Sequence, residues 1–312
     1  MPMRRSPSRR HALGLAAAAL ASPALIGARP AQAETPPPPA APAIPPYRRM
    51  TLGEMTVTSL LAGSRTTENP QEIFGLNASK EDFAALSAAA FLPTDRAVNF
   101  FTPVLIERGA EKILFDTGLS PEGIRAALAA AGHRPEEITT VVLTHMHGDH
   151  IGGLMEGSAP TFANATYVTG QTEFDHWAGA GNEGFEAKVR PLAEKFRFVT
   201  DGESPVPGVT AVLAAGHTPG HMAYWLESAG RELVLSADAA NHYVWSLERP
   251  DWEVRYDMEK AAAAATRKSL FGRIAAGKLP FIGYHMPFPG VGFLEARGEG
   301  FRFVPASYQL DL

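Results

Sequence analysis

The sequence has no cysteine among its 312 residues. Disulfide bonds, thiolate nucleophiles and thiolate metal ligands are therefore all excluded. A metal site in this chain has to be built from imidazole and carboxylate groups. The ten histidines are consequently the first residues to follow along the chain.

The sequence also lacks an excess of positive charge, since 33 Asp and Glu residues outnumber 28 Lys and Arg residues. A protein that coats nucleic acid needs clustered Lys and Arg to neutralise phosphates. We therefore expect a small-molecule substrate and no nucleic-acid partner. The length allows one large domain or two small ones with a well-buried core.

Residues 1–33 have the features of an export signal. Arg9-Arg10 resembles a twin-arginine motif, an apolar stretch follows, and Ala31-Gln32-Ala33 has the form of a cleavage site. Pro23 and Gly27 interrupt the apolar stretch, so we expect no spanning helix, and no membrane contact after cleavage. This predicts a periplasmic or secreted protein; an ordinary secretory signal and an uncleaved anchor are the alternatives.

Residues 34–46 are rich in proline, which predicts an extended linker, so the folded domain is expected over residues 47–312. Strands and helices interleave in this domain, but strands often follow one another directly. That order favours two sheets covered by helices over a doubly wound parallel sheet. The patterns predict helices at 79–90, 120–132, 182–196 and 258–276.

The stretch THMHGDH places His145, His147, Asp149 and His150 within six residues, directly after an apolar strand-like run. At the end of a strand, side chains two residues apart point the same way, so the first two histidines can converge on one ion. Gly148 lets the backbone turn tightly, after which the next two side chains point elsewhere. One loop therefore offers ligands to two neighbouring ions, and the remaining ligands must come from later in the chain.

Further candidate ligands follow three later strands. His217 and His221 lie in GHTPGH, Asp238 lies in SAD, and His285 lies in GYH. Each lies where an apolar strand gives way to a loop, which is typical of binding sites. Several crowded imidazoles would be costly to bury unpaired, and a metal removes that cost. The pair Gly152–Gly153 would allow close backbone packing behind the first loop.

The four motifs in this order resemble the metallo-β-lactamase superfamily of metal-dependent hydrolases, over roughly Phe115 to His285. The resemblance implies an α+β fold, a four-layer αββα sandwich in which two mixed β-sheets are flanked by helices. It also implies two metal ions at one edge of the sheets. The implied ligands are His145, His147 and His221 for one ion and Asp149, His150 and His285 for the other, with Asp238 bridging.

The same resemblance implies further roles. Asp116 of LFDTG would orient a ligand histidine, and His217 would be structural. Asp149 and Asp238 would take the catalytic roles, with Asp149 relaying a proton to the leaving group. Zinc is the default metal, and iron, manganese and cobalt are the alternatives. Two such ions lower the pKa of a shared water toward about 7, which supplies hydroxide at neutral pH.

Several stretches, among them SADAANHYVWSLERPDWEVRYD and YHMPFPGVGF, resemble the branch that contains methyl parathion hydrolase and exported lactonases. This implies hydrolysis of neutral apolar esters, namely lactones, aryl esters or phosphotriesters, and homodimers occur among the relatives. The segment after LFDTG is short and helical, which argues against strong phosphotriesterase activity. The predicted pocket residues are Trp177, Phe288, Phe100, Tyr243 and His242, and Phe101, Phe174 and Phe293 are further aromatic candidates.

Other functions stay open at this point. The first alternative is an N-acyl homoserine lactonase specifically, although Tyr243 lies off the register of the Tyr that those enzymes have after the bridging Asp. A glyoxalase II-like thioesterase and a phosphodiesterase or nuclease are further alternatives. A non-catalytic binding protein that has kept the fold is the last.

Overall fold

The computed structural model describes residues 44–307. The predicted export signal, the predicted linker as far as residue 43 and residues 308–312 lie outside the described residues. Within residues 44–307, no helix combines the length and the apolar character needed to cross a bilayer.

The described part of the chain contains six α-helices. They are α1 (Lys80–Ala89), α2 (Pro121–Ala130), α3 (Gly148–Ile151), α4 (Gln171–Gly179), α5 (Glu183–Lys188) and α6 (Lys260–Gly277). Short 3₁₀ turns occupy Pro70–Glu72, Pro135–Glu137 and Arg190–Lys195.

Local capping signals explain the helices that begin as predicted. Ser79 Oγ accepts a hydrogen bond from the Asp82 backbone N–H at the start of α1. Ser120 Oγ does the same for Gly123 N–H at the start of α2, where a proline occupies the first helical position. A hydroxyl at this position satisfies an N–H that has no partner within the helix.

The predicted helix at 182–196 is shorter in the structure. The α-helical part ends at Lys188, and the chain continues as a 3₁₀ turn from Arg190 to Lys195. Pro191 lies at the second position of that turn, where its ring and missing N–H prevent a continuous α-helix. Helix α4 was not predicted.

The strands form two sheets and two isolated hairpins. The first sheet contains β1 (Tyr47–Leu52), β2 (Met55–Leu60), β5 (Val104–Arg108), β6 (Glu111–Phe115), β7 (Thr140–Val142), β10 (Thr166–Gly170) and β11 (Phe196–Val199), in that spatial order. The second contains β12 (Val209–Leu213), β13 (Met222–Ser228), β14 (Arg231–Ala237), β15 (Phe281–Gly283), β16 (Val291–Arg297) and β17 (Gly300–Pro305), also in spatial order. The hairpins pair β3 (Gly63–Glu68) with β4 (Arg96–Phe101) and β8 (Met155–Glu156) with β9 (Ala159–Pro160).

One hydrophobic cluster fills the space between the two sheets. Val57 and Val142 of the first sheet belong to it, together with Tyr224 and Leu235 of the second. Alternate residues of a strand point to opposite faces, so the neighbouring Val141 belongs to a different cluster on the outer side of the first sheet.

The outer faces of both sheets are covered by helices. Ile124 and Leu128 of α2 pack on the first sheet, and Leu270 and Phe271 of α6 pack on the second. Both sheets are mixed, because parallel pairs such as β6–β7 and β14–β15 occur beside antiparallel ones. The predicted α+β class and αββα layering are confirmed.

The β3–β4 hairpin differs from what the sequence pattern predicts. Residues 98–107 look like one apolar strand, but β4 ends at Phe101 and β5 begins at Val104. The chain changes partner at Pro103, which has no N–H to donate. Strand β4 therefore pairs with β3, apart from the first sheet, and it forms a wall beside the histidine-rich loop.

Candidate metal centre

The predicted ligands come together at one end of the sandwich, at the points where strands end. THMHGDH follows β7, with His147 at the N-terminus of α3 and His150 inside this helix. Asp238 follows β14 directly, and His285 comes two residues after β15. Loops at the strand ends thus supply the polar groups, while the sheets hold them in place.

Asp149, His150, Asp238 and His285 form one compact cluster, whose candidate ligand atoms lie within 4.8 Å of one another. His285 Nε2 lies 3.1 Å from Asp238 Oδ2 and 3.3 Å from Asp149 Oδ2. His150 Nε2 lies 3.3 Å from Asp238 Oδ1. We call these four residues the second cluster.

Hydrogen bonds at Nδ1 orient both histidines of the second cluster. The His285 Nδ1–H donates to the Phe100 backbone oxygen at 2.8 Å. The His150 Nδ1–H donates to Asp116 Oδ2, also at 2.8 Å. Once deprotonated, each ring would direct the lone pair of Nε2 into the second cluster, which is the arrangement of metal-binding histidines.

Asp116 also holds the backbone of the ligand loop. Its carboxylate accepts hydrogen bonds from Thr144 N–H and Thr144 Oγ1–H, both at 2.9 Å. Asp116 itself adopts φ 61°, and Ala237, next to Asp238, adopts φ 44°. Positive φ is unfavourable for residues with a Cβ, and such strained positions cluster at functional sites.

His145, His147 and His217 form a neighbouring set, the first cluster, whose candidate ligand atoms again lie within 4.8 Å of one another. His145 Nε2 lies 3.1 Å from His147 Nδ1, which lies 2.9 Å from His217 Nε2. The resemblance had assigned His221 to this ion and a structural role to His217. In the structure, His221 Nε2 accepts a hydrogen bond from the Asp238 backbone N–H at 3.1 Å.

Buried charges hold His217 in place. Its Nδ1–H donates to Asp257 Oδ1 at 2.9 Å, and Asp257 Oδ2 accepts from Arg267 Nη1–H at 2.8 Å. The side chains of Asp257 and Arg267 are fully buried. Burial alone would raise the pKa of Asp257, but the bonds from His217 and Arg267 hold it below its usual value. Sequence reasoning missed this chain of contacts, because its members lie 40 and 10 residues apart.

The first cluster contains imidazoles that stay neutral. Burial, followed by the repulsion from neighbouring histidines, lowers the pKa of His147 to about 3 and that of His145 well below its usual range. The same causes lower the pKa of the nearby His221 to about 3. Neutral rings at pH 7 keep the lone pairs that a cation needs.

In the second cluster the pKa values of the histidines are raised instead of lowered. Burial alone would lower the pKa of His285, but Asp238 and Asp149 raise it to about 10. Burial is likewise outweighed at His150, where Asp116, Asp238 and Asp149 hold the pKa well above its usual range. Burial would raise the pKa of Asp149, but the His150 and His285 charges lower it to about 2. Without a bound cation, protons on these imidazoles balance the carboxylates.

The donor set fits a divalent cation. His150 Nε2 and Asp238 Oδ1 are buried and have no hydrogen-bond partner among residues 44–307, although they are only 3.3 Å apart. Buried polar atoms nearly always have partners, and a shared ion would satisfy both of these. Nitrogen and oxygen donors without sulfur suit zinc, and also iron, manganese or cobalt.

The backbone packs closely behind the ligand loop at Gly152 and Gly153, as the sequence predicts. A Cβ on Gly152 would lie 2.2 Å from Leu119 O, and one on Gly153 would lie 2.2 Å from Thr117 O. No side chain fits at these distances, so the prediction of close backbone approach is confirmed.

A cavity of about 490 Å³ opens onto both clusters. Its apolar wall is formed by Phe74, Phe101, Leu119 and Tyr256. Its polar lining outside the clusters is formed by Arg65, Thr67, Asn99 and Asn241. The volume lies within the usual range for small-molecule sites.

Of the aromatic residues predicted for the pocket, Phe101 lines this cavity, whereas Trp177, Phe288, Phe100, Tyr243 and His242 are not among its lining residues. His242 is fully buried, lies stacked on Trp245 at 3.9 Å, and its Nδ1 accepts hydrogen bonds from Val244 N–H and Trp245 N–H. Burial lowers the pKa of His242 to about 3. His242 thus packs in the interior, and it does not line the cavity.

Trp177, Tyr243, Phe288 and Phe100 also lie outside the set of residues that line the cavity. Trp177 packs under the first cluster, with its ring 5.7 Å from that of His147. Tyr243 is half-buried in a hydrophobic cluster beside the second sheet, and Phe288 is half-buried. Phe100 contributes its carbonyl to His285, whereas its neighbour Phe101 faces the cavity. Side chains alternate along β4, so one position decides the face.

The polar wall residues of the β3–β4 hairpin were not predicted from the sequence. Arg65 and Asn99 face each other across the two strands. Thr67 Oγ1 accepts a hydrogen bond from Asn99 Nδ2–H at 3.0 Å. The only signal in the sequence was a polar Asn within an apolar run, and by itself this does not indicate a pocket.

Comparison with known proteins gives consistent results. The profile of the metallo-beta-lactamase superfamily matches residues 102–273, more than half of the chain. The Caenorhabditis elegans "Beta-lactamase-like protein 2 homolog" is 32% identical over 128 residues, 39% of this chain and 39% of that protein. An N-acyl homoserine lactonase of Bacillus cereus is 26% identical over 140 residues, 45% of this chain and 53% of that protein. The matches thus span about half or less of these relatives' length.

Among solved structures, AidC, a dizinc quorum-quenching lactonase in complex with a product, superposes with a TM-score of 0.79. It is 24% identical, and the match covers 85% of this chain and 98% of AidC. At this identity the likeness shows the fold.

Proposed function

The chain belongs to the metallo-beta-lactamase superfamily, and on this premise we propose that it is a two-metal hydrolase of lactones and related neutral esters. The observation that carries the proposal is the cavity onto which both ligand clusters open. The lactonase names of several relatives support the choice of substrate class.

Two divalent ions at this site would supply hydroxide at neutral pH and polarise the substrate carbonyl. The chain's own residues bind the substrate, exclude water and orient the carboxylates. The apolar wall around Phe74 and Phe101 receives the acyl or alkyl part of the ester and excludes water. Asn241 Nδ2–H donates to Asp238 Oδ2 at 3.0 Å and keeps this carboxylate aimed between the clusters.

Asp149 has the properties of the proton-transfer group. Its side chain keeps 22% of its exposure, whereas Asp238 keeps 4%, so Asp149 is the carboxylate that a leaving group can reach. As a carboxylate it can take up the proton that the attacking water releases. The same proton would then pass to the departing alkoxide, so the attacking water supplies both the hydroxide and the proton of the leaving alcohol.

The polar lining fits a neutral substrate. Arg65 is the only Lys or Arg among the described residues that line the cavity. A phosphodiester chain would need several cations, so nuclease activity is disfavoured. Arg65 and Asn99 can donate hydrogen bonds to a carbonyl or amide oxygen at the mouth of the cavity.

The test is a substrate panel on purified protein. An N-acyl homoserine lactone, an aryl ester and a phosphotriester are assayed before chelation, after complete metal removal and after zinc is restored. We expect turnover of the lactone or aryl ester that disappears with the metal and returns with zinc. Turnover that survives complete metal removal would refute the proposal. Two bound ions without turnover of any substrate would indicate a binding protein.

Two variants sharpen this panel. Asp149→Asn removes the proposed proton acceptor and is expected to reduce kcat by about 100-fold or more. Asp175→Asn, on the exposed face of α4, is the matched control and should leave kcat unchanged. Metal titration of His217→Ala and His221→Ala separates the two candidates for the third ligand of the first cluster.

We also propose that the protein is exported through its N-terminal segment. The paired arginines and the A-x-A sequence support this. Changing Arg9 and Arg10 to Lys should retain the protein in the cytoplasm in a fractionation experiment, and unchanged distribution would contradict export by the twin-arginine route.

A further inference from the structure

Glu173 of helix α4 is a fully buried carboxylate at 0% exposure, and it neither belongs to the two clusters nor lines the cavity. Burying a carboxylate is expensive unless hydrogen bonds replace its water. Glu173 accepts four of them, two at each oxygen. Three of the four donors belong to the two loops that carry first-cluster histidines, and the fourth is Trp177 of α4 itself.

One donor comes from THMHGDH. The Met146 backbone N–H, between His145 and His147, donates to Glu173 Oε1 at 2.9 Å. The same oxygen accepts from Trp177 Nε1–H at 2.6 Å, one helical turn further along α4.

Two donors come from GHTPGH. Thr218 Oγ1–H donates to Glu173 Oε2 at 2.6 Å, and Gly220 N–H donates to the same oxygen at 3.0 Å. Both lie within the four-residue spacing between His217 and His221. The carboxylate thus joins the two loops directly.

The packing at Gly220 also shows that the GHTPGH loop and α4 are held together. A Cβ at this residue would lie 2.2 Å from Glu173 N and 2.6 Å from Glu173 Cα. The GHTPGH loop therefore lies directly against the backbone of α4. This contact is independent of the carboxylate hydrogen bonds.

We propose that Glu173 is a positioning residue that fixes the two histidine loops relative to each other and so assembles the first metal cluster. The link to metal binding rests on the proposed function, whereas the loop-fixing role does not. Moving either loop would leave a buried charge with fewer donors, and charge-assisted hydrogen bonds are strong enough to resist this.

Glu173→Gln is the informative change because it keeps the size of the side chain. A glutamine offers one oxygen and one NH₂ group to four donors. Whichever way the amide turns, one backbone N–H, of Met146 or of Gly220, faces another N–H. One loop therefore loses its anchor.

The first readout is hydrogen exchange of the metal-free protein, compared with the wild type and with Asp175→Asn. In Glu173→Gln we expect exchange at Met146 or Gly220 to accelerate by about 10-fold or more. The control lies on the same helix, where it pairs with Gln171 on the surface, and should not change either amide. Wild-type exchange at both amides in Glu173→Gln would overturn the proposal.

The second readout is metal affinity by competition with a chelator. Loss of an outer partner of a metal ligand usually costs about 10–100-fold in affinity, and we expect this for one of two ions. Wild-type affinity for both ions in Glu173→Gln would also overturn the proposed role. If the wild type itself binds no ion, the hydrolase proposal fails, while hydrogen exchange still decides the role of Glu173.

Should Glu173→Gln not fold, Thr218→Val and Trp177→Phe replace it. Thr218→Val removes one donor of the GHTPGH loop, so exchange at Gly220 should accelerate. Trp177→Phe removes a donor from α4 itself and should leave Gly220 as in the wild type. Equal exchange in the two variants would overturn the proposal.

Discussion

The first and second clusters of ligand residues should differ in the number of protons that they release when zinc binds. The perturbation is the addition of zinc, in two steps, to chelator-stripped protein at pH 7. In the first cluster the pKa of His147 is about 3 and that of His145 lies well below its usual range. Both rings are already neutral, so filling this cluster should release no proton from them.

The second cluster should release about two protons. Its His285 has a pKa of about 10, and the pKa of His150 is held well above its usual range. Both rings are therefore protonated at pH 7, and both must lose the proton to bind an ion through Nε2. Below these pKa values, the affinity of the second cluster should rise by about 100-fold per pH unit.

The assay is calorimetric titration at constant pH in two buffers of different ionisation enthalpy. Proton release appears as a difference in heat between the buffers, and it is resolved for each binding step. A bound water that ionises adds about one further proton. His285→Asn is the control, because it should remove one proton from the total. Equal proton release in the two steps, or affinities that depend equally on pH, would refute this reasoning.

Three further predictions follow from the same contacts. Asp116→Ala should reduce the metal affinity of the second cluster by about 10–100-fold, because His150 Nδ1–H loses its acceptor; wild-type affinity in chelator competition would contradict it. Arg267→Met should lower the free energy of unfolding by about 3–5 kcal/mol, because Asp257 stays charged and buried; a change below about 1 kcal/mol in urea unfolding would show that the pair is not needed. The metal-free protein should lose stability as pH rises. The protonated ring of His285, whose pKa is raised to about 10, stabilises the folded state fully below pH 6.5, and this contribution is lost as the pH passes about 10. A melting temperature that is constant from pH 6 to 10 would exclude this contribution.

Much of the fold could be predicted because its signals are local. Ser79 and Ser120 cap the helices that follow them, and this capping needs only residues within one turn. Helix α4 was missed because its N-cap residue, Gly170, has no side chain to cap it. Glu173 was missed with it, since a glutamate in an unassigned segment gives no sign of burial.

The candidate site shows the same division. The spacing of His145, His147 and His150 requires only a strand end and a turn, so the sequence indicated a metal loop. Apart from Phe101, the cavity wall could not be predicted, because the chain rejoins the first sheet only after Pro103 and β4 pairs with β3 instead. Predicted pocket residues such as His242 are instead packed inside, because aromatic side chains serve cores as readily as pockets.

The sequence by itself determined the kind of metal ligand, the order of the ligand motifs and the family, since these depend on composition and short spacings. The tertiary structure alone decided which groups meet. It brought His217 beside His147, set Asp257 and Arg267 behind it, and placed Glu173 between two loops that are distant in the chain. The physical reason is that hydrogen bonds and charge pairs act over a few ångströms in space, whatever the separation along the chain.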